Sequence, residues 1–471
     1  MRTALFLFRR DLRVVDNTSL LAAIRDGYRI LGAFVFPPEQ ILPDKNPYFS
    51  NAAVQFMCES LEDLSRELDH KLAFLHTDHI DALERIYASH PFDAVYFNED
   101  YSVYARKRDA TIQAWCKKRD IPCVTHEDYG LLPLMDGLLD AAEHRPYKVL
   151  AQFYKRVQKD HEIRRPDTTQ VKAAFVAIRH PPAKSLLRIA EIHKFYVANP
   201  QAALHGGRTA AKKRLALLGD LKDYKVARDF PAKQKTTLLS PYLKFGCVSV
   251  REVYWAIAET LGKEHALIRE LVFRDFYLKI YALIPGLQRG TALHDALDRS
   301  IPWSYDTKVF RAWTEGRTGF PIVDAGMREL NATGHQHNRI RMICSSVLTK
   351  YFLIDWRWGL KYYYTHLVDA DIFSNTAGWG FSSSTGPDAV PYFRAPFNPF
   401  IQSKKFDPDA EYIKRWVPEL ADVSVANIHK WFDAGVRAKA ASTYPAPIMD
   451  YKEASARAIS VFKSAFIQSK K

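Results

Sequence analysis

A change of rhythm constrains this chain more than any other feature. Up to about residue 126, short apolar runs alternate with amphipathic stretches; after about residue 204 only helical periodicity remains. RTALFLF (2–8), RILGAFVF (29–36), KLAFLH (71–76), DAVYFN (93–98) and PCVTH (122–126) read as strands. Between them, 49–68, 81–88 and 102–119 carry helical spacing. Buried-looking strands separated by helices predict a doubly wound, five-stranded parallel α/β sheet over residues 1–128. No GxGxxG follows the first strand, so the usual dinucleotide fingerprint is missing. Residues 129–203 lose the rhythm. With HRPYK, RRPDTT and RHPPAK they read as a long surface linker. Residues 204–471 then read as an all-α domain, with helices expected over 249–261, 264–283, 337–354 and 360–373.

At 471 residues the chain is long enough for two or three domains. No apolar run approaches the roughly 20 residues of a membrane span, and the N-terminus reads as a first strand rather than a signal peptide. Five cysteines without a CxxC pair predict reduced thiols, a cytoplasmic or nuclear setting and no cysteine metal site. His335 and His337 are two apart, a poor spacing for a metal pair on a helix, so no metal is expected. The net charge of +14 reads either as a solubility charge or as the footprint of a polyanionic partner, nucleic acid being the commonest.

Residues 374–400, SNTAGWGFSSSTGPDAVPYFRAPFNPF, read as an irregular aromatic loop behind two acids, Asp369 and Asp371. Helical spacing puts Glu270, Phe273, Arg274 and Tyr277 on one face, and Asn338, Arg341, Met342 and Ser345 on another. Taken alone, the first set reads more readily as an ordinary solvated face than as a site, and the second has the same plain reading. Thr236, Thr237 and Ser240 enter a short helix at Pro241, where hydroxyls suit either capping or phosphate binding. A helical pocket for a bulky, polar, aromatic cofactor needs such parts.

Five blocks then carry a resemblance. FRRDLRVVDNTSL, YKVARDFPAKQKTTLLSPYLKFGCVSVRE, WTEGRTGFPIVDAGMREL, HNRIRMICSSVLTKYFLIDW and GWGFSSSTGPDAVPYFRAPFNP are similar, in order and over nearly the whole chain, to the photolyase/cryptochrome flavoprotein family. The pattern is closest to the class I-type cyclobutane pyrimidine dimer photolyases. The resemblance implies an α/β antenna-type domain, a long linker and a helical FAD-binding domain. It implies that Tyr224, Thr236, Thr237 and Ser240 hold the phosphates and ribose of FAD, with Leu238 and Leu239 in the same segment. Arg274 is implied to lie near the flavin and phosphates, Asp369 and Asp371 at the flavin edge and adenine side, Arg341 against Asp369, and Asn375 beside flavin N5. Trp379, Trp356 and Trp303 match a tryptophan electron relay.

The implied activity is light-driven repair of cyclobutane pyrimidine dimers in DNA, by electron transfer from excited reduced FAD to the flipped-out lesion. Asn338 and Met342 match dimer repair rather than 6–4 photoproduct repair, and Glu270 matches the acid that binds the base edge of the lesion. Phe273 and Phe381 stand where dimer-repair members carry a lesion-packing Trp, which keeps open a cryptochrome-like blue-light receptor or 6–4 repair. His335 replaces a usual aromatic. Ala105 stands where folate-antenna members have Glu, leaving deazaflavin, flavin, folate or no antenna chromophore open. The expected partner is dimer-containing DNA and the expected state a monomer. The chain ends soon after its last helices, so no receptor-type tail is expected.

Overall fold

The computed structural model describes residues 2–134, 146–160, 162–178, 186–284, 286–387 and 397–470. Part of the linker and residues 388–396 of the last resemblance block lie outside them. The chain separates into two compact units. One comprises Met1–Pro200, Leu204–Lys222 and Thr237–Pro285; the other comprises Gln201–Ala203, Asp223–Thr236 and Gly286–Lys471.

The first unit is built on a sheet of order β5-β4-β1-β2-β3-β6. Its strands are β1 (Thr3–Phe8), β2 (Arg29–Val35), β3 (Leu72–Leu75), β4 (Ala94–Asn98), β5 (Cys123–His126) and β6 (Leu186–Leu187). The first five are parallel, as the sequence predicts. Their cores are apolar on both faces because helices cover both. Asn17, Ser50, Asp78 and Ser102 cap the helices Thr18–Arg25, Asn51–Glu67, His79–Ser89 and Val103–Lys117, each accepting a first-turn N–H. The sixth strand is a correction to the expected five. It lies inside the predicted linker and pairs antiparallel with β3, Phe74 opposite Leu187. Two residues have no alternation to read, so only the free edge of β3 makes them a strand.

The helices Val250–Leu261 and Ala266–Leu283, read from sequence with the helical region, pack within this first unit. Asp275, buried in the second of them, accepts the backbone N–H of Leu131 at 2.8 Å and of Leu132 at 2.9 Å. Gly246 shows how tightly the chain closes here. It has φ +65°, and a Cβ there would sit 2.2 Å from the carbonyl oxygen of Arg10.

The second unit is helical. Pro321–Thr333 starts with proline in its first turn and ends at Gly334 in the left-handed region. It crosses Asn338–Ser346 closely, since a Cβ on Gly326 would meet Ile340 Cγ2 at 2.3 Å. Around this crossing packs an apolar core that includes Trp313, Phe320, Met327, Ile340, Tyr351, Trp356 and Trp379.

Three sequence expectations change here. The single helix expected over 337–354 is α-helical only to Ser346 and then makes a π-helical turn, Val347–Tyr351. The helix expected over 360–373 is Trp356–His366, and the chain leaves helical conformation through Asp369. The supposed loop from 374 begins as a helix, Ile372–Ser383. Its glycines and serines are weak helix formers, but burial of Phe373, Ala377 and Trp379 outweighs propensity.

Candidate cofactor and electron-relay site

Asp371 opens the helix Ile372–Ser383 by accepting the N–H groups of Phe373 and Ser374, both at 3.1 Å. That fixes the next turns. Asp371, Asn375 and Gly378 fall on one face, four and three residues apart. Asn375 is anchored through Nδ2 to the carbonyl of Leu360 at 3.2 Å. Gly378 is exposed, and a side chain added there would meet nothing within 4 Å. On the neighbouring helix Arg341 donates through Nη2 to Asp369 Oδ2 at 3.0 Å and through Nε to the carbonyl of Gln336 at 2.8 Å. The start of that helix is capped by His337, which accepts the N–H of Arg339 at 3.2 Å. Burial holds the His337 imidazole down to about 4, so it is neutral. Asn338 is exposed and Met342 half-buried one turn on, with Asn338 Nδ2 3.9 Å from Met342 Sδ. Phe381 is half-buried.

One turn beyond Asn375 and toward the same neighbour, Trp379 is buried against the helix Trp356–His366. A Cβ on Gly359 would lie 2.0 Å from Trp379 Cη2, so only glycine admits the indole. Trp356 is buried and Trp303 partly exposed. Both point their N–H at one atom, Asp298 Oδ1, at 2.9 Å and 3.2 Å. Trp379 also meets Tyr363 edge-on at 5.0 Å between ring centroids and Trp313 at 6.1 Å. The residues sequence reasoning missed are therefore Asp298, Gly359 and Gly378. Asp298 reaches Trp356 and Gly359 admits Trp379 across the fold, Gly378 matters for the space it leaves, and no local signal marks any of them.

The remaining expected residues divide between the units. Tyr224, buried, and Thr236, half-buried, belong to the second. Thr237, Leu238, Leu239, Ser240, Glu270, Phe273 and Arg274 belong to the first. There Thr237 Oγ1 accepts the N–H of Leu239 at 3.3 Å, and Leu238 holds φ +54°, uncommon for a branched residue. Ser240 is exposed at the start of the helix Ser240–Lys244, which has no side-chain cap. The Phe273 ring lies tilted by 37° against that of Tyr277, 4.6 Å between centroids, and Glu270 is half-buried on the same face. Arg274 lies over the ring of Tyr129 at 4.0 Å and donates to its carbonyl at 2.9 Å. Ala105 is fully buried.

The profile described as the FAD binding domain of DNA photolyase matches residues 267–464, and that of DNA photolyase matches 4–173. The deoxyribodipyrimidine photo-lyase of Halobacterium salinarum is 33% identical over 98% of this chain and 99% of its own length. The chain belongs to the DNA photolyase family. Among solved structures, the archaeal photolyase of Sulfolobus tokodaii, which holds two FAD molecules, is 35% identical with a TM-score of 0.85, covering 98% of this chain and 99% of that one. A class III photolyase from Agrobacterium tumefaciens is 30% identical with a TM-score of 0.87, covering 99% and 98%. In photolyase-family terms, the FAD-binding match spans every helix carrying Glu270 to Asn375. The residues present fit that cofactor. An Arg–Asp pair, a neutral amide and an open glycine face are the donors and the space a flat, polar ring system requires.

Proposed function

We propose that this photolyase-family chain splits cyclobutane pyrimidine dimers in DNA under light. The observation that carries the reading is the helix Ile372–Ser383, on which Asp371 and Asn375 share a face with an open Gly378 while Asn375 and the buried Trp379, four residues apart, both meet the helix Trp356–His366. FAD, when bound in its reduced form, supplies light absorption and the electron that cleaves the dimer. Asn375 offers that ring a neutral amide, which does not oppose negative charge as a carboxylate would. Arg341 compensates Asp369 at 3.0 Å, so the acid adds little net charge beside the ring. Tyr224, Thr236, Thr237 and Ser240 hold phosphate and ribose, with Leu238, Leu239 and Arg274 alongside.

Glu270 accepts from the base edge of the extruded lesion, Phe273 and Phe381 give it π-faces, and Asn338 and Met342 border it. Extrusion costs less for a damaged, poorly stacked pair than for an intact one. The +14 charge neutralises phosphates and makes binding fall with salt. Trp379, Trp356 and Trp303 relay electrons inward to keep the cofactor reduced.

The protein acts as a monomer inside the cell. Its five free cysteines, four of them buried, suit a reducing compartment. Among the described residues no helix is long and apolar enough to cross a membrane. Purification in the dark, a flavin spectrum and illumination with dimer-containing oligothymidine test the proposal. Loss of dimers is expected. Stable light-induced spectral change without dimer loss supports the receptor reading, which Phe273 and Phe381 favour because phenylalanine offers a lesion less stacking area than tryptophan.

A further inference from the structure

We infer that Asp298 is a positioning residue for the tryptophan relay, holding the indole N–H groups of Trp356 and Trp303 on one carboxylate oxygen; the inference rests on the relay reading above. Asp298 sits in the short helix Asp295–Ser300 with its side chain buried. Its Oδ1 accepts from Trp356 at 2.9 Å and Trp303 at 3.2 Å, and its Oδ2 takes an N–H of Arg357. Arg357 in turn donates to Asp355 at 3.1 Å and to the carbonyl of Gly290 at 2.8 Å. Its guanidinium carbon stands 4.6 Å over the ring of Trp356.

These placements have opposite electrical effects on Trp356. A cation facing an indole makes removal of an electron harder. A carboxylate accepting the indole N–H makes it easier, and away from water both effects are enlarged. Asp298 therefore offsets the charge of Arg357 at the middle of the relay, and extends the same help to Trp303.

Bound FAD would supply the light-driven one-electron acceptor for Trp379; an electron lost from Trp379 would then be replaced by one from Trp356, which is refilled by one from Trp303. Trp303 ends oxidised by one electron, the other two indoles are restored, and the Nε1 protons stay in their hydrogen bonds to Asp298. A neutral acceptor in place of the carboxylate leaves Arg357 over Trp356 with less compensation, and the oxidised state stays on Trp379, where it recombines.

Two kinds of measurement test this. In cofactor-free protein labelled with 15N-tryptophan, the indole N–H resonances of Trp303 and Trp356, assigned with Trp303→Phe and Trp356→Phe, both move in Asp298→Asn. If only one or neither moves, the shared acceptor is disproved. In the FAD-loaded protein, Asp298→Asn lowers the yield of the long-lived tryptophan radical about tenfold, as exchange of a charged for a neutral hydrogen-bond acceptor implies. Arg357→Gln removes the opposing cation and does not lower it. A merely structural role predicts that both variants lower the yield alike, and that result overturns the inference. If Trp303→Phe leaves the yield unchanged, the relay reading itself fails. If Trp303→Phe lowers it and Asp298→Asn does not, only the role of Asp298 fails.

Discussion

In the first unit Asp128 accepts from Arg13, from Arg251 at 2.7 Å and from Thr18 Oγ1 at 2.7 Å, and Arg251 also holds Asp16 at 2.7 Å. All four charged side chains are almost fully buried. In the second unit Arg341 meets Asp369 at 3.0 Å with 26% of the arginine side chain exposed, and the helix bearing Asp371 and Asn375 is open at Gly378. The same residue types thus make two different objects. One set closes on itself and ties the strand-to-helix turn after β1 to the helix Val250–Leu261. The other leaves the side of its helix at Gly378 open. Charge composition cannot tell them apart; burial and the space alongside can.

The sharpest way to break this contrast is Asp128→Ala. It leaves Arg13 and Arg251 buried without their shared carboxylate and is expected to cost about 4 kcal/mol in denaturant unfolding. A loss under about 1 kcal/mol would show that the cluster is not structural.

Acid separates the units next. Burial pushes the Asp128 carboxyl up, but Arg13, Arg251 and its hydrogen bonds outweigh burial and hold it below the ordinary range. Its stabilisation is present above the unfolded carboxylate value and is lost only as pH falls below about 4. His337 loses stability in the same direction but in a higher window, being depressed by burial from 6.5 to about 4. Between those values the unfolded chain takes up the proton and the folded chain does not. Stability therefore falls as pH drops from 6.5 towards 4, by up to about 3 kcal/mol, and levels below. Urea midpoints across that window should fall less steeply in His337→Asn, which keeps an N-cap acceptor. Equal slopes would remove His337 from the account.

Gly378→Leu probes the open face. With free space and no positive φ at that position, the cofactor-free protein should gain up to about 1 kcal/mol from helix propensity. FAD affinity, read by fluorescence titration, should fall at least about tenfold. A variant that binds FAD normally would place the cofactor elsewhere.

The smallest effect is expected from Asp369→Asn. Exposure of Arg341 screens the pair, so thermal unfolding should report only about 1 kcal/mol. Retained flavin after purification should fall more noticeably. A large stability loss with full flavin content would turn the contrast around and make this pair the structural one.

The sequence by itself determined the five parallel strands, the helical second half and the family. Strand runs such as TALFLF and caps such as Asn17 and Ser50 act locally, and five ordered blocks of motif survive without any coordinates. Only the tertiary structure decided that 372–383 is a helix, that Leu186–Leu187 completes the sheet, and that Asp298 joins Trp303 to Trp356. Each of these depends on a partner distant in the chain. Buried aromatics override the weak helix propensity of Gly and Ser, a free strand edge recruits two residues with no pattern, and a carboxylate finds two indoles five and fifty-eight positions away. Periodicity and spacing carry information about neighbours along the chain, whereas a site is defined by neighbours across it.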